Sequence, residues 1–165
     1  MALIIEDGSI VTGANSFTTD AEFLAYAAAR AVELPATEAA RNALQVRAVD
    51  YLFSKEGSLK GCRINAVQGL PYPRRGVCVY GFNVAIDAIP AGLKSAQMEL
   101  GMQSHTSELL ISGISQDLES FSVDDVYTES YHSGGSWEHV RTDKADAYLN
   151  PLLDNNGSRN MMGRV

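Results

Sequence analysis

The run Ile64–Val79, INAVQGLPYPRRGVCV, constrains this chain more than any other stretch. Its two prolines remove backbone donors and fix φ on either side of an aromatic, so neither a helix nor a central strand can pass through. It separates two helix-like segments and carries an Arg-Arg pair. A long connection without regular structure is usually functional or disordered, and its prolines and aromatics argue against disorder.

The flanking segments read as helices. Thr19-Asp20-Ala21-Glu22 matches a capping box, which predicts a first helix over about residues 20–33, ended by Pro35. Residues 38–54 lack Gly and Pro and predict a second helix over about 36–55, with Gly57 near its C′ position. Its apolar stripe is Ala40, Ala43, Leu44, Ala48, Tyr51 and Leu52, with Arg47 as one basic member. A third helix starts near Pro90 and runs to about residue 107, with Ile89, Leu93, Ala96 and Leu100 at helical spacing. Residues 121–131 and 136–141 read as a β-hairpin around Ser133-Gly134-Gly135-Ser136, within a unit at 119–142. A short helix at 144–153 follows, and 155–165 reads as a C-terminal tail.

The expected fold is therefore mainly α (α+β): a small helical bundle with a long embracing loop, a β-hairpin and an extended C-terminal tail. At 165 residues it is expected to form one domain over 1–154, with the helical core at 18–110 and the loop at 57–86. No apolar run approaches the ~20 residues of a membrane span, and the N-terminus lacks the pattern of a signal peptide. The expected compartment is the cytosol. Cys62 and Cys78 lack CxxC spacing and read as reduced, structural thiols.

Net charge is −7, unevenly spread. Between Lys55 and Gly81 stand Lys55, Lys60, Arg63, Arg74 and Arg75 against Glu56 alone, while residues 117–156 hold nine acids and two bases. Such polarity suits head-to-tail packing of copies, basic patch against acidic patch. Tyr72, Tyr80 and Phe82 lie among the cations, the mixture that single-stranded nucleic acid uses. The acidic whole argues against a tight DNA binder, because cation–phosphate contact dominates such affinity.

Catalytic signals are missing. There is no nucleophile elbow, phosphate loop or dinucleotide fingerprint, and Ile111-Ser112-Gly113-Ile114-Ser115 is not GxSxG. His132, Glu138 and His139 flank the expected hairpin turn but do not pair as metal ligands, and Asp124-Asp125 reads as solvated surface. No enzyme activity, metal or cofactor is expected.

Several elements resemble a group of small tailed-phage and prophage proteins. They are Glu6-Asp7-Gly8, Gly13-Ala14-Asn15-Ser16-Phe17, Ala21-Glu22 with Tyr26, and Arg47-Ala48-Val49-Asp50-Tyr51-Leu52. Gly61, Gln68, Pro71-Tyr72-Pro73-Arg74-Arg75-Gly76-Val77, Ile89-Pro90 with Lys94 and Ala96, and Leu149-Asn150-Pro151-Leu152-Leu153 complete the set. The chain departs from the pattern at Tyr72, where Trp is common, and at Phe17, where Tyr is usual. Two descriptions attach to such proteins: DnaT-like single-stranded-DNA-binding protein and head–tail connector. The charge polarity favours the connector. That resemblance implies a virion component made in the host cytoplasm, docking as a ring beneath the phage portal protein. It would contact neighbouring copies and the next tail component, with genomic DNA passing through without specific binding and no membrane involved. Lys60, Arg63, Tyr72, Arg74 and Arg75 would then meet the partner, with Met161, Met162 and Arg164 contributing from the tail. The alternative is a single-stranded-DNA-binding replication accessory.

Overall fold

The computed structural model describes residues 2–110 and 142–154. Its α-helices are α1 (Asp20–Ala28), α2 (Glu38–Ser54), α3 (Ala91–Gln103) and α4 (Asp143–Leu149). Two small antiparallel sheets lie between α2 and α3: β1 (Cys62–Arg63) with β2 (Arg74–Arg75), and β3 (Cys78–Val79) with β4 (Phe82–Asn83). The fold is mainly α with a small β component, as the sequence predicts. The expected hairpin at 119–142 and the tail at 155–165 lie outside the described residues, apart from Thr142.

The capping box forms. Thr19 Oγ1 accepts from the Glu22 N–H at 3.2 Å, and the Thr19 N–H donates to Glu22 Oε2 at 2.8 Å. Helix α1 stops at Ala28 rather than near residue 33, because Ala31 adopts φ +52° and the Arg30, Ala31 and Val32 N–H groups fold back onto Ala27 and Ala28 carbonyls. Helix α2 lies within the expected 36–55, but its buried face is rotated. Leu44, Ala48, Tyr51 and Leu52 are buried, whereas Ala43 and Arg47 are exposed and Arg41, Asn42, Gln45 and Val49 take inward positions. Arg41 is drawn in by a two-pronged pair with Asp20, at 2.7 and 2.6 Å. Gly57 is not a left-handed cap; it sits in a 3₁₀ turn, Glu56–Ser58. Helix α3 begins after Pro90 and ends at Gln103, short of residue 107. It packs on both α2 and α4 and supplies Leu93, Ala96 and Leu100 to the core.

A buried polar hub ties the N-terminal arm to this core. Gln97 donates to Ser16 Oγ at 2.7 Å and accepts the Phe17 N–H at 2.9 Å, and Thr18 Oγ1 donates to Gln45 Oε1 at 2.7 Å. Ahead of it, Glu6 is 2 % exposed, and its carboxylate accepts the N–H groups of Gly8, Ile10 and Val11 at 2.8, 3.0 and 2.9 Å. Gly8 has φ +109°, and a Cβ there would lie 1.7 Å from the Asp87 carbonyl oxygen, so glycine is required. Cys62 and Cys78 are free and exposed, not core thiols. Among the described residues no helix is long and apolar enough to cross a membrane.

Glu6→Ala strands three backbone donors that no longer reach water freely, and it should lower unfolding free energy by about 2–4 kcal/mol. Urea denaturation followed by circular dichroism measures this.

Candidate functional site

The Pro-Tyr-Pro-Arg-Arg-Gly segment folds inward. Tyr72 has no exposed surface and precedes a cis peptide bond to Pro73. Burial pushes its phenol up to about 12, with the Arg74 charge opposing. Arg74 is 7 % exposed, and all its N–H groups are engaged. Nε donates to the Lys60 carbonyl at 2.9 Å, Nη1 to the Pro71 carbonyl and Glu56 Oε1 at 3.3 and 3.4 Å, and Nη2 to the Leu59 and Gly61 carbonyls at 3.3 and 2.7 Å. Arg63 forms a fork with both Glu56 oxygens, and its Nη1 donates to the Gln68 carbonyl at 2.9 Å. Lys60 donates to the Pro151 and Cys78 carbonyls, at 2.8 and 3.4 Å.

These side chains therefore do not form the projecting cationic grip expected of Lys60, Arg63, Tyr72 and Arg74. Register explains the split within the Arg-Arg pair. Arg63 pairs with Arg74 and Cys62 with Arg75, and the first pair shares Glu56 while Cys62 and Arg75 are exposed. Met161, Met162 and Arg164 lie outside the described residues.

A different part of the connection faces water. In the β3–β4 hairpin, Val79 pairs with Phe82 across the two-residue turn Tyr80-Gly81. Both turn residues have positive φ, +53° and +86°, the combination a tight right-twisted hairpin requires. Tyr80 is 83 % and Phe82 78 % exposed, in a chain that buries Phe17, Phe23 and Tyr72 completely. Ile86 is exposed nearby in sequence. The hairpin is nonetheless anchored: Val79 and Val84 pack on the core, and the Val84 N–H donates to the Val77 carbonyl at 2.9 Å. Two exposed aromatic rings on a fixed element make this hairpin the candidate interaction surface.

Beside the hairpin lies an open groove of about 300 Å³, bounded by Val79 and Tyr80, the start of α3 at Pro90–Gly92, and Tyr148 and Leu152. Gly92 lets α3 meet α4 closely, since a Cβ there would stand 2.9 Å from the Tyr148 carbonyl oxygen. Pro151 in its wall is held by the Lys60 ammonium through the Pro151 carbonyl. On the other side, Tyr148 joins a polar cluster. Arg30 lies 3.3 Å from the Tyr26 ring centroid and 3.1 Å from Glu99, and the Tyr26 hydroxyl donates to Glu99 at 3.0 Å. Hydrogen bonding to Tyr26 and to Arg30 lowers the Tyr148 pKa. Among the described residues no group of His, Cys, Asp and Glu could hold a metal ion, and His105 is exposed.

Arg74 and Arg75 should differ sharply. Arg74→Ala leaves Glu56 short of a partner and empties a buried site, costing about 3 kcal/mol, whereas Arg75→Ala changes stability by about 0.5 kcal/mol or less. The hydrogen bond from Arg63, followed by the charges of Arg63 and Arg74, holds the Glu56 carboxyl below its ordinary 4.5 despite burial. A carboxyl with a lower pKa folded than unfolded stabilises the fold above the unfolded value and loses that contribution as pH falls. Stability should drop below about pH 4.5, and Glu56→Gln should flatten that acid limb; urea midpoints across pH read both.

The family model "Putative DnaT-like ssDNA binding protein" matches residues 1–165. No curated protein and no solved structure matches the chain. The family match overturns the head–tail connector reading and, with it, the portal, ring-neighbour and tail partners and the expectation that DNA passes without specific binding. The inward fold of Arg63 and Arg74 removes the physical footing that reading had. The chain belongs to the family of DnaT-like single-stranded-DNA-binding proteins.

Proposed function

We propose that this chain binds single-stranded DNA, without catalysing a reaction, and that the β3–β4 hairpin is the contact. One observation carries the reading: Tyr80 and Phe82 stand almost fully in water at the tip of an anchored hairpin. Every base has a π-face, so two presented rings stack on a strand with little regard to sequence, as duplex DNA does not allow. Lys60, whose ammonium reaches the Cys78 carbonyl of β3, and the exposed Arg75 earlier in the same connection supply charge for the phosphates. The family description supports the same ligand.

Net charge of −7 shapes how such binding behaves. Few cations meet the strand, so stacking contributes more than counterion release. Each phosphate neutralised on a single strand adds about 0.7 to the salt slope, so two contacts predict a slope of roughly −1.4. That is far shallower than for basic DNA-binding domains.

Fluorescence anisotropy with a labelled oligo-dT tests this at two salt concentrations. Tyr80→Ala and Phe82→Ala should each weaken binding by about 1–3 kcal/mol, five- to 150-fold, while leaving the urea midpoint unchanged. Equal affinity for the duplex form, or no binding by the wild-type protein at roughly 100 μM, the weak end of non-specific affinity, would refute the reading.

A further inference from the structure

We infer that Lys60 is a positioning residue for the strand contact. Beyond its charge, it sets the β3–β4 hairpin against the end of α4 and so fixes where Tyr80 and Phe82 stand. The inference rests on the single-strand reading above and deepens it. A lysine ordinarily swings on a flexible four-carbon stem. This one is held at both ends. Its backbone N–H donates to the Leu152 carbonyl at 2.8 Å, and its carbonyl accepts Arg74 Nε at 2.9 Å. Its ammonium donates to the Pro151 carbonyl at 2.8 Å and to the Cys78 carbonyl at 3.4 Å. Arg63 and Arg74 share Glu56, whereas Lys60 forms no ion pair among the described residues.

Both acceptors lie where the backbone offers them no donor of its own. The Val84 N–H donates to the Val77 carbonyl, and bonded and unbonded pairs alternate along an antiparallel ladder. Cys78 and Asn83 are therefore an unbonded pair, and the Cys78 carbonyl points away from β4. Pro151 lies in the 3₁₀ turn Asn150–Leu152 that ends α4, where carbonyls run out of helical partners and a cation is favoured. That turn is a firm anchor. Leu149 and Leu152 belong to the core, Leu153 bridges Leu59, and the Asp154 N–H donates to the Ser58 carbonyl at 2.7 Å. Val79 and Val84 give the hairpin apolar contact, which is non-directional. The ammonium adds a directional tie. Strands of two residues hold one arrangement poorly by themselves, and affinity falls with the fraction of molecules in the competent one.

Oligo-dT anisotropy and amide hydrogen exchange on the full chain test this together. Lys60→Met keeps the stem and removes every donor. It should weaken binding about tenfold and speed exchange of the Val84 amide, with α2 and α3 amides unchanged. Arg75→Met removes an exposed charge, and its deficit should shrink toward about 1 M salt, where counterion release fades. Most of the Lys60→Met deficit should persist there, and Lys60→Arg should restore both affinity and protection. A deficit that fades with salt as that of Arg75→Met does would make Lys60 a charge alone and overturn the inference. So would Val84 exchange equal to that of the wild type, or faster exchange with undiminished affinity. Each of these results leaves the strand-binding reading intact, whereas absence of binding by the wild type would overturn both. Should Lys60→Met fail to fold, Lys60→Gln, with a donor on a shorter stem, serves instead: an intermediate loss is expected, and wild-type affinity would overturn the inference.

Discussion

A guanidinium taken out of water must find acceptors for every N–H it carries, and Arg74 finds them on four carbonyls and one carboxylate. The carbonyls of Leu59, Lys60 and Gly61 come from the turn after α2, and that of Pro71 from the proline-rich run. One side chain thus gathers two stretches of backbone that have little regular structure of their own. Glu56 completes the arrangement by answering Arg74 and Arg63 together. With residues 59–61 held, the Lys60 N–H and side chain reach Leu152 and Pro151, and the chain after α4 is drawn onto the same face. The long connection is ordered because Arg74 and Arg63 are spent on its carbonyls and on Glu56.

That inward use of charge has an outward consequence. With Tyr72 and Arg74 buried, the aromatic surface left to the connection lies further along the chain, on a hairpin that holds two rings in water. On the proposed reading, the protein offers a strand flat surfaces more than a positive field. An acidic body suits this division, because repulsion of phosphates by the rest of the molecule limits contact to the places where bases can stack. Binding of this kind stays weakly dependent on sequence and modestly dependent on salt.

Much of the scaffold is legible in the sequence, and the site is not. The capping box at Thr19, the uninterrupted α2 and the start of α3 after Pro90 are local signals, complete within a few residues. Which arginine of the pair turns inward is set by pairing with Cys62 and Arg63 and by an acid on the preceding turn. Two-residue strands carry too little alternation to reveal that in advance. The rotated face of α2 is likewise decided by Asp20 and Thr18, which compete for Arg41 and Gln45 from outside the helix. A usable signal does exist for the hairpin: Tyr80-Gly81 between Cys-Val and Phe-Asn is a two-residue turn flanked by strand-forming residues. Taking 57–86 as one loop hides it, because Tyr72, Tyr80 and Phe82 then share a single environment.

The separation between Tyr72 and Tyr80 is what makes a stacking surface physically workable on so small an element. A free two-stranded hairpin is marginal in water, and ordering it at each encounter would consume binding free energy. Here the ordering is done by the fold. Val79 and Val84 lean on the core, the Val84 N–H closes onto Val77, and the Lys60 ammonium ties the Cys78 carbonyl to Pro151. The rings are thus presented on backbone already fixed before any ligand arrives. The same lysine thus fastens the hairpin to the end of α4, and anchoring the two exposed rings is the work of the fold itself.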